Sequence, residues 1–203
     1  AVKSIKVEPA PAETTTVLLC GNSTVVDQFT EPYASWGLLT FDRIYHGVDW
    51  GWWPDPWAYN ACAYDPARRR LVIFDELTRF RCPNADTAQL LIERGVGGDE
   101  GGFLIADGAE PKSCADYRAA GLPCRAARKG PGSLRESMKW LQSLAEIVVD
   151  PARCPDTARE FGEYEYAKDA RTGEVLGGYP DAGNHHIDAV RYAVESVWRR
   201  RGT

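Results

Sequence analysis

The sequence predicts an α/β domain built on one mixed central sheet with helices on both faces. Three segments rich in β-branched and aromatic residues follow one another from residue 44, which is typical of neighbouring strands. Helical and strand-like segments then alternate, and the chain closes with a helical pattern. Because a hairpin pairs antiparallel and strands separated by helices pair in parallel, this order favours a mixed sheet covered by helices.

The first half of the domain contains the predicted hairpin. Three strands are predicted here, at 44–50, 57–64 and 71–77. The Asp65-Pro66 turn joins the last two of them. A helix follows at about 85–94, because Gly95 is the residue type that ends helices. A glycine-rich loop then leads into a short strand from Phe103 to Ile105.

In the second half, helices alternate with two short strands. The predicted helices lie at 111–120, from Ser133 onward, at about 151–161 and at about 184–200, and the strands at 122–127 and 147–149. Pro111 in the first turn and Gly121 after the last support the first of these helices. Ser133 and Glu136 have the spacing of a capping box, so we expect Ser133 to cap its helix.

Composition divides the chain into a lead-in, residues 1–42, and one domain, residues 43–203. The stretch from Ala1 to Thr16 contains Pro, Glu and Thr and is typical of a linker. Residues 17–40 hold short apolar runs with no clear period, and we expect them to pack on the core. The sequence has no initiator Met, so we expect a fragment of a larger protein.

Charge and cysteine usage limit the classes of function. The net charge is −5, so any contact with nucleic acid depends on local basic patches and bound metal. Six cysteines show no Cys-x-x-Cys pair and no zinc-ligand spacing, which indicates ordinary intracellular thiols. No apolar run approaches the roughly 20 residues that span a bilayer, so we expect a soluble intracellular protein without a membrane partner.

Three aspartates lie at the edges of apolar segments. They are Asp49 in His-Gly-Val-Asp-Trp-Gly, Asp107 in Ile-Ala-Asp-Gly, and Asp188 in His-His-Ile-Asp-Ala. Two predicted strands and the last helix carry them. Each alone is best interpreted as a solvated or capping residue. Brought together, three carboxylates repel one another unless divalent cations neutralise them, and that arrangement is typical of two-metal phosphodiester chemistry.

Four short motifs follow one another along the chain, and their order is more specific than any one of them. They are Gly47-Val48-Asp49-Trp50-Gly51 with Asp55-Pro56, Ala106-Asp107-Gly108-Ala109-Glu110-Pro111-Lys112-Ser113, Lys129-Gly130-x-Gly132-Ser133, and Asn184-His185-x-x-Asp188-Ala189-x-Arg191-Tyr192. From about residue 43 to the end, this order and spacing resemble the C-terminal nuclease domain of phage terminase large subunits.

The resemblance implies a ribonuclease H-like fold and an endonuclease that cuts concatemeric double-stranded viral DNA when capsid filling starts and ends. It implies two Mg²⁺ or Mn²⁺ ions held by Asp49, Asp107 and Asp188. The implied partners are DNA, an ATPase motor domain of the same full-length protein, the portal and the small terminase subunit, in the host cell cytoplasm. No Gly-x-x-x-x-Gly-Lys-Ser/Thr phosphate loop occurs, so the motor is absent from this chain.

Further candidates surround the three aspartates. Asp55 is either a further metal ligand or a turn residue. Asp181 is a weaker candidate ligand, or simply precedes the last helix. His185 stands three residues before Asp188 on the same helix face, where it would orient a ligand, act on the leaving group or simply lie in the core. A lone histidine most often does the last, but the resemblance favours a role in orienting a ligand or carrying a proton. The resemblance also favours a role for Lys129 at the scissile phosphate over that of a solvated surface lysine.

Two other functions remain open at this point. The tryptophan cluster, Trp50, Trp52, Trp53 and Trp57, is either core packing or a sugar-stacking platform of a carbohydrate-binding module or glycosidase. The domain could also be a non-catalytic docking module of the packaging motor, although the three aspartates argue against it. The runs Arg68–Arg70 and Arg199–Arg201 are either solvated charges or contacts to a DNA backbone.

Overall fold

A mixed β-sheet forms the centre of the molecule. The computed structural model describes residues 5–7, 43–97, 102–166, 171–174, 176 and 178–199. The strands are β1 (Ile5–Val7), β2 (Ile44–Asp49), β3 (Trp57–Asp65), β4 (Arg70–Arg79), β5 (Leu104–Ala106), β6 (Cys124–Ala126) and β7 (Glu146–Val149). The helices are α1 (Asn84–Glu93), α2 (Pro111–Ala119), α3 (Ser133–Ser143), α4 (Pro155–Glu163), α5 (His185–Ala193) and α6 (Glu195–Trp198).

The strand order across the sheet is β1-β7-β4-β3-β2-β5-β6. The central strands β2, β3 and β4 pair antiparallel as consecutive neighbours. Outside them, β5 joins β2, β6 joins β5, β7 joins β4 and β1 joins β7, all in parallel. Long crossovers are needed for the parallel pairs, and the helices supply them. The predicted mixed sheet is therefore confirmed.

Helices cover both faces of this sheet because successive residues of its strands point to opposite sides. On one face, alternate residues of β3 and β4 such as Tyr59 and Val72 pack with Leu91 of α1 and Tyr117 of α2. On the other face, Ile73 of β4 packs among residues of α3 and α5. This two-layered core is the source of the continuous apolar runs in the central strands.

Several element boundaries differ from the sequence-based expectation. Ser133 does not cap α3: it is the first helical residue, and Gly132, in the left-handed conformation with φ of 83°, precedes it without a side-chain cap. The helix expected at 151–161 begins only at Pro155, because Asp150 accepts the backbone N–H of Ala152 in a separate turn. The final helix is divided into α5 and α6 at Val194.

The lead-in segment contributes one strand that sequence patterns did not indicate. Residues 5–7 pair in parallel with β7, with Ile5 opposite Ile147. The expectation that residues 17–40 pack on the core lies outside the described residues. Within the described part of the chain, no helix has both the length and the apolar character needed to cross a membrane.

A glycine fixes how closely α5 packs on β2. A Cβ atom added to Gly47 would lie 1.8 Å from the carbonyl oxygen of Ala189 and 2.8 Å from the backbone nitrogen of Ala193. Only glycine leaves room for this approach of helix to strand. The contact places Asp188, next to Ala189, beside the strand that ends in Asp49.

Candidate functional site

Two of the predicted aspartates emerge side by side from neighbouring parallel strands. Asp49 is the last residue of β2, and Asp107 directly follows β5, where Val48 pairs with Ala106. The backbone N–H of Asp107 donates to the carbonyl oxygen of Val48 at 2.9 Å. The Trp50 indole N–H donates to the carbonyl oxygen of Asp107 at 2.9 Å, so the two strand ends are joined twice. The parallel pairing therefore brings both carboxylates to the same edge of the sheet.

The three aspartates act on one another electrostatically. Burial raises the pKa of Asp49 to about 6, and the negative charges of Asp188 and Asp107 add to this, against a hydrogen bond with His185. Burial also raises the pKa of Asp188, with a further contribution from Asp107, while Arg191 and Lys129 oppose it. The site thus concentrates negative charge that the protein neutralises only in part.

Two cations supply this partial neutralisation. Lys129 forms an ion pair with Asp107, and Arg191 forms one with Asp188. The buried Arg191 also donates from Nε to the hydroxyl of Ser137 on α3 at 2.7 Å. The Tyr192 ring lies beneath both cations, 5.5 Å from Lys129 Nζ and 5.8 Å from the Arg191 guanidinium carbon. Lys129 thus lies beside Asp107, and Arg191 lies beside Asp188, three residues earlier on the same helix.

His185 connects two carboxylates. Its Nδ1 lies 3.1 Å from Oδ2 of Asp49, and its Nε2 lies 3.5 Å from Oδ1 of Asp55. The hydrogen bond with Asp49 raises the pKa of His185, against the effect of burial. Asp55 is 71% exposed, so its side chain is free to move toward a bound ion. The structure therefore brings His185 to Asp49, and it brings Asp55 to the other ring nitrogen of His185.

Asp181 occupies a different position from the other candidates. Its side chain is exposed. Burial raises the pKa of Tyr164 to about 12, and the charges of Asp188 and then Asp181 add to this. The Tyr164 hydroxyl donates to the carbonyl oxygen of Pro180 at 2.7 Å. Asp181 and Asp188 thus both act electrostatically on Tyr164. The role of Asp181 as a metal ligand stays a prediction.

A second group of potential ligands was not indicated by the sequence. Atoms of Glu76, Asp156 and His186 all lie within 4.8 Å of one another, a distance that the three predicted aspartates do not meet. Glu76 accepts the backbone N–H groups of Asp156 and Thr157 at the start of α4. Burial lowers the pKa of His186 to about 4, so this imidazole is neutral at physiological pH. These three residues are far apart in sequence, so no local sequence pattern could indicate that they form a group.

Hydrogen bonds within this second group tie α4 and α5 to the sheet. His186 contacts Asn60 through Nδ1 at 2.9 Å and Thr78 through Nε2 at 3.0 Å. Asp156 accepts from the Thr78 hydroxyl at 2.7 Å. Glu160 of α4 accepts the first backbone N–H groups of α5, from His186 at 2.8 Å and Ile187 at 3.0 Å. This network holds the helix that carries Asp188.

The tryptophan cluster separates into two pairs. Trp57 is buried in the core, and Trp50 is partly buried against the edge of the Tyr117 ring. Core packing thus accounts for these two. Trp52 and Trp53 are exposed.

The two basic runs form ion pairs within the protein. Arg68, Arg70 and Arg199 are paired with Asp65, Glu146 and Glu195.

Comparisons with known proteins agree with this geometry. The chain matches the family model of the terminase ribonuclease H-like domain over residues 49–196. It is 35% identical to the large terminase subunit of Bacillus phage SPP1 over 167 residues, which are 81% of this chain and 39% of that protein. The chain therefore spans about two fifths of the length of this relative.

Solved structures show the same fold. The nuclease domain of g2p, the large terminase of bacteriophage SPP1, with bound Mn, has a TM-score of 0.73 and 29% identity, covering 96% of this chain and 97% of that one. The P22 large terminase nuclease domain has a TM-score of 0.57 and 17% identity, covering 78% of this chain and 83% of that one. The second similarity concerns the fold alone.

Proposed function

Because the chain belongs to the family of terminase ribonuclease H-like domains, we propose that it is a metal-dependent endonuclease that cuts concatemeric double-stranded viral DNA during genome packaging. The observation that carries the proposal is the convergence of Asp49, Asp107 and Asp188 at one edge of the sheet, with charge neutralised only in part. Such a cluster of oxygens is suited to hard divalent cations.

The residues present fit a pair of Mg²⁺ or Mn²⁺ ions. Carboxylate oxygens are the ligands these ions prefer, and Asp49, Asp107 and Asp188 would supply them, with Asp55 as a further donor and Asp181 as a weaker one. The SPP1 nuclease domain has been solved with bound Mn. When bound, two ions lower the pKa of water and stabilise the attacking and leaving oxygens of an in-line displacement.

The other side chains of the site would position the substrate and move protons. His185 lies between Asp49 and Asp55, where its imidazole holds the carboxylate of Asp49 and exchanges a proton with it. Lys129, paired with Asp107, would contact the scissile phosphate and reduce its charge. Metal and these cations act on the sugar-phosphate backbone, which carries no sequence information, so cleavage should show little sequence preference.

The proposed nuclease would act together with the other components of the genome-packaging assembly, inside the infected host cell. An ATPase motor domain of the same full-length protein would hold double-stranded DNA near the nuclease and raise its effective concentration. The portal and the small terminase subunit would complete the assembly. Cleavage would then be timed by access of DNA to the site.

The test is nicking of supercoiled plasmid by the purified chain. We expect nicked and linear DNA with Mn²⁺ or Mg²⁺ and none with EDTA, because the carboxylates alone cannot activate water. Replacing Asp49, Asp107 or Asp188 by Asn should lower cleavage and Mn²⁺ affinity together while circular dichroism stays unchanged. Asp86→Asn, an exposed carboxylate of α1, is the matched control and should cut like the parent.

Several outcomes would contradict the proposal. Cutting that persists in EDTA would remove the two-metal mechanism, and full activity of all three Asn variants would remove the site assignment. A folded chain that binds Mn²⁺ without cutting DNA would favour a non-catalytic docking module of the packaging motor.

A further inference from the structure

An exposed aromatic surface lies beside the candidate active site. Trp52, Trp53 and Phe80 are 55%, 59% and 48% exposed. Together with Arg81 we call them the aromatic surface. Large rings exposed side by side are unusual on a soluble domain and indicate an interaction site. The carboxylate site does not require them.

The aromatic surface is held together by contacts between a loop and the end of β4. The Trp53 and Phe80 rings meet edge to face, with centroids 5.8 Å apart. The Arg81 guanidinium lies over the Trp53 ring at 4.6 Å, and its backbone N–H donates to the Trp52 carbonyl oxygen at 2.9 Å. A Cβ added to Gly51 would lie 2.1 Å from the Pro56 carbonyl oxygen, so loop 50–56 folds back closely on itself.

This surface is continuous with the catalytic edge of the sheet. The loop begins directly after Asp49, and its residue Asp55 reaches His185 at 3.5 Å. Trp53 is two residues from Asp55, so their Cα atoms are separated by at most about 7 Å. A DNA strand whose phosphate lies at the carboxylates would therefore pass the aromatic surface within one or two nucleotides.

The chemistry of the surface fits unpaired nucleobases. Exposed aromatic rings beside a positive charge are how proteins hold single strands, because every base has a π-face that stacks irrespective of sequence. The Trp52 side chain is 55% exposed, so its ring is accessible for stacking. Arg81 places a positive charge here although the chain carries a net charge of −5.

We propose that Trp52 and Trp53 stack on nucleobases that are locally unpaired next to the cleavage site, with Arg81 beside the adjacent phosphate. The proposal rests on the proposed function, since it takes DNA as the substrate. Stacking would hold the cut strand in register with the carboxylates without reading its sequence. It would also favour strands that are frayed or opened near the metals.

The test compares binding to two fluorescent oligonucleotides of equal length, one of thymidine and one without bases. Anisotropy is measured at low salt in EDTA, so that no cleavage occurs. Trp52→Ala should weaken binding to the thymidine strand by roughly 5- to 100-fold and leave binding to the abasic strand unchanged. Trp52→Phe, which keeps an aromatic ring, should restore most of the affinity and shows that the site is folded.

Phe103→Ala is the matched control. Phe103 is 52% exposed, and the Arg125 guanidinium lies 4.9 Å from its ring centroid, so it repeats the chemistry of the aromatic surface. It precedes β5, whereas Asp107 follows β5, so it lies at the opposite end of the strand. Its replacement should leave binding to both oligonucleotides unchanged.

The outcomes separate this proposal from the proposed function. If the parent chain nicks plasmid but Trp52→Ala binds the thymidine strand normally, the stacking role is wrong and the surface serves a protein or another partner. The stacking role would also be wrong if Trp52→Ala weakened binding to both oligonucleotides equally, or if the parent chain bound neither measurably. If stacking is observed but no metal yields cleavage, the nuclease proposal fails instead.

Discussion

Among single residues, Asp49 is expected to affect the stability of the metal-free protein, because its carboxyl group is costly to ionise when folded. Among the described residues, Lys129 pairs with Asp107 and Arg191 with Asp188, whereas neither a Lys nor an Arg pairs with Asp49. Its contact is His185, and burial keeps its pKa at about 6. A carboxyl group protonated this easily is costly to ionise in the folded state, and a bound cation would remove that cost.

Asp49→Asn should stabilise the metal-free protein at about pH 7.5 and have little effect at about pH 4. The pKa of Asp49 is about 6 in the folded protein, against an ordinary value of 3.8 for an aspartate. The folded protein therefore binds the proton more tightly, and stability is lost as pH rises through this window. We expect a gain of about 1–3 kcal/mol above the window, measured by urea unfolding in EDTA. An equal gain at both pH values, or the same gain in Asp86→Asn, would contradict this origin.

His185→Ala should reduce turnover more than metal binding. Imidazole is not a preferred ligand of hard cations, and His185 contacts the carboxylates Asp49 and Asp55. Losing it removes a group that orients Asp49 or moves a proton, typically a loss of about 10- to 100-fold. Mn²⁺ titration calorimetry beside plasmid cleavage distinguishes the cases. A loss of Mn²⁺ affinity as large as in Asp188→Asn would make His185 a ligand, and unchanged cleavage would make it structural.

At the element scale, the position of α5 relative to β2 determines whether a site exists. Gly47 permits the close approach, and Glu160 accepts the first N–H groups of α5. Burial raises the pKa of Glu160 to about 7, and the hydrogen bonds from the Ile187 and His186 backbone oppose this rise. The site therefore depends on residues that do not touch the substrate.

Gly47→Ala should destabilise the fold by more than about 3 kcal/mol, because the new methyl group would overlap backbone atoms of α5, which a rotamer change cannot relieve. Urea unfolding measures the loss. The control is Gly162→Ala on α4, where an added Cβ meets nothing within 4 Å. Helix propensity predicts that this variant gains up to about 1 kcal/mol. Similar stability of the two variants would show that α5 and β2 are not in close contact.

At the scale of the whole molecule, a net charge of −5 opposes DNA binding. Contacts must come from a few exposed cations such as Lys129 and Arg81. We expect weak binding of duplex DNA in EDTA with a slope of log K against log[salt] of about −2 to −4, corresponding to two to four phosphate contacts. Anisotropy over a salt series measures it. Tight binding independent of salt would mean that the duplex is held by contacts other than phosphate pairing.

Local sequence patterns predicted the strands, the hairpin turn and most of the helices, and they also led to the proposed residues of the site. Strand composition, the Asp65-Pro66 turn and helix-ending glycines act over a few neighbouring residues, so they can be interpreted without the tertiary structure. The order of the four motifs indicated the family, which the comparisons confirm, and it predicted Asp49, Asp107 and Asp188 as metal ligands. The predicted capping role of Ser133 was wrong, because Gly132, in the left-handed conformation, occupies the position before the helix and Ser133 is its first residue.

The tertiary structure brings into contact groups that are distant in sequence. Glu76 with Thr157, His186 with Asn60 and Arg191 with Ser137 are separated by 81, 126 and 54 residues. It also decided that Trp50 and Trp57 are used for packing while Trp52 and Trp53 stay exposed beside the site. Local patterns cannot specify such pairs, because hydrogen bonds and burial between distant residues follow from how helices dock on the sheet.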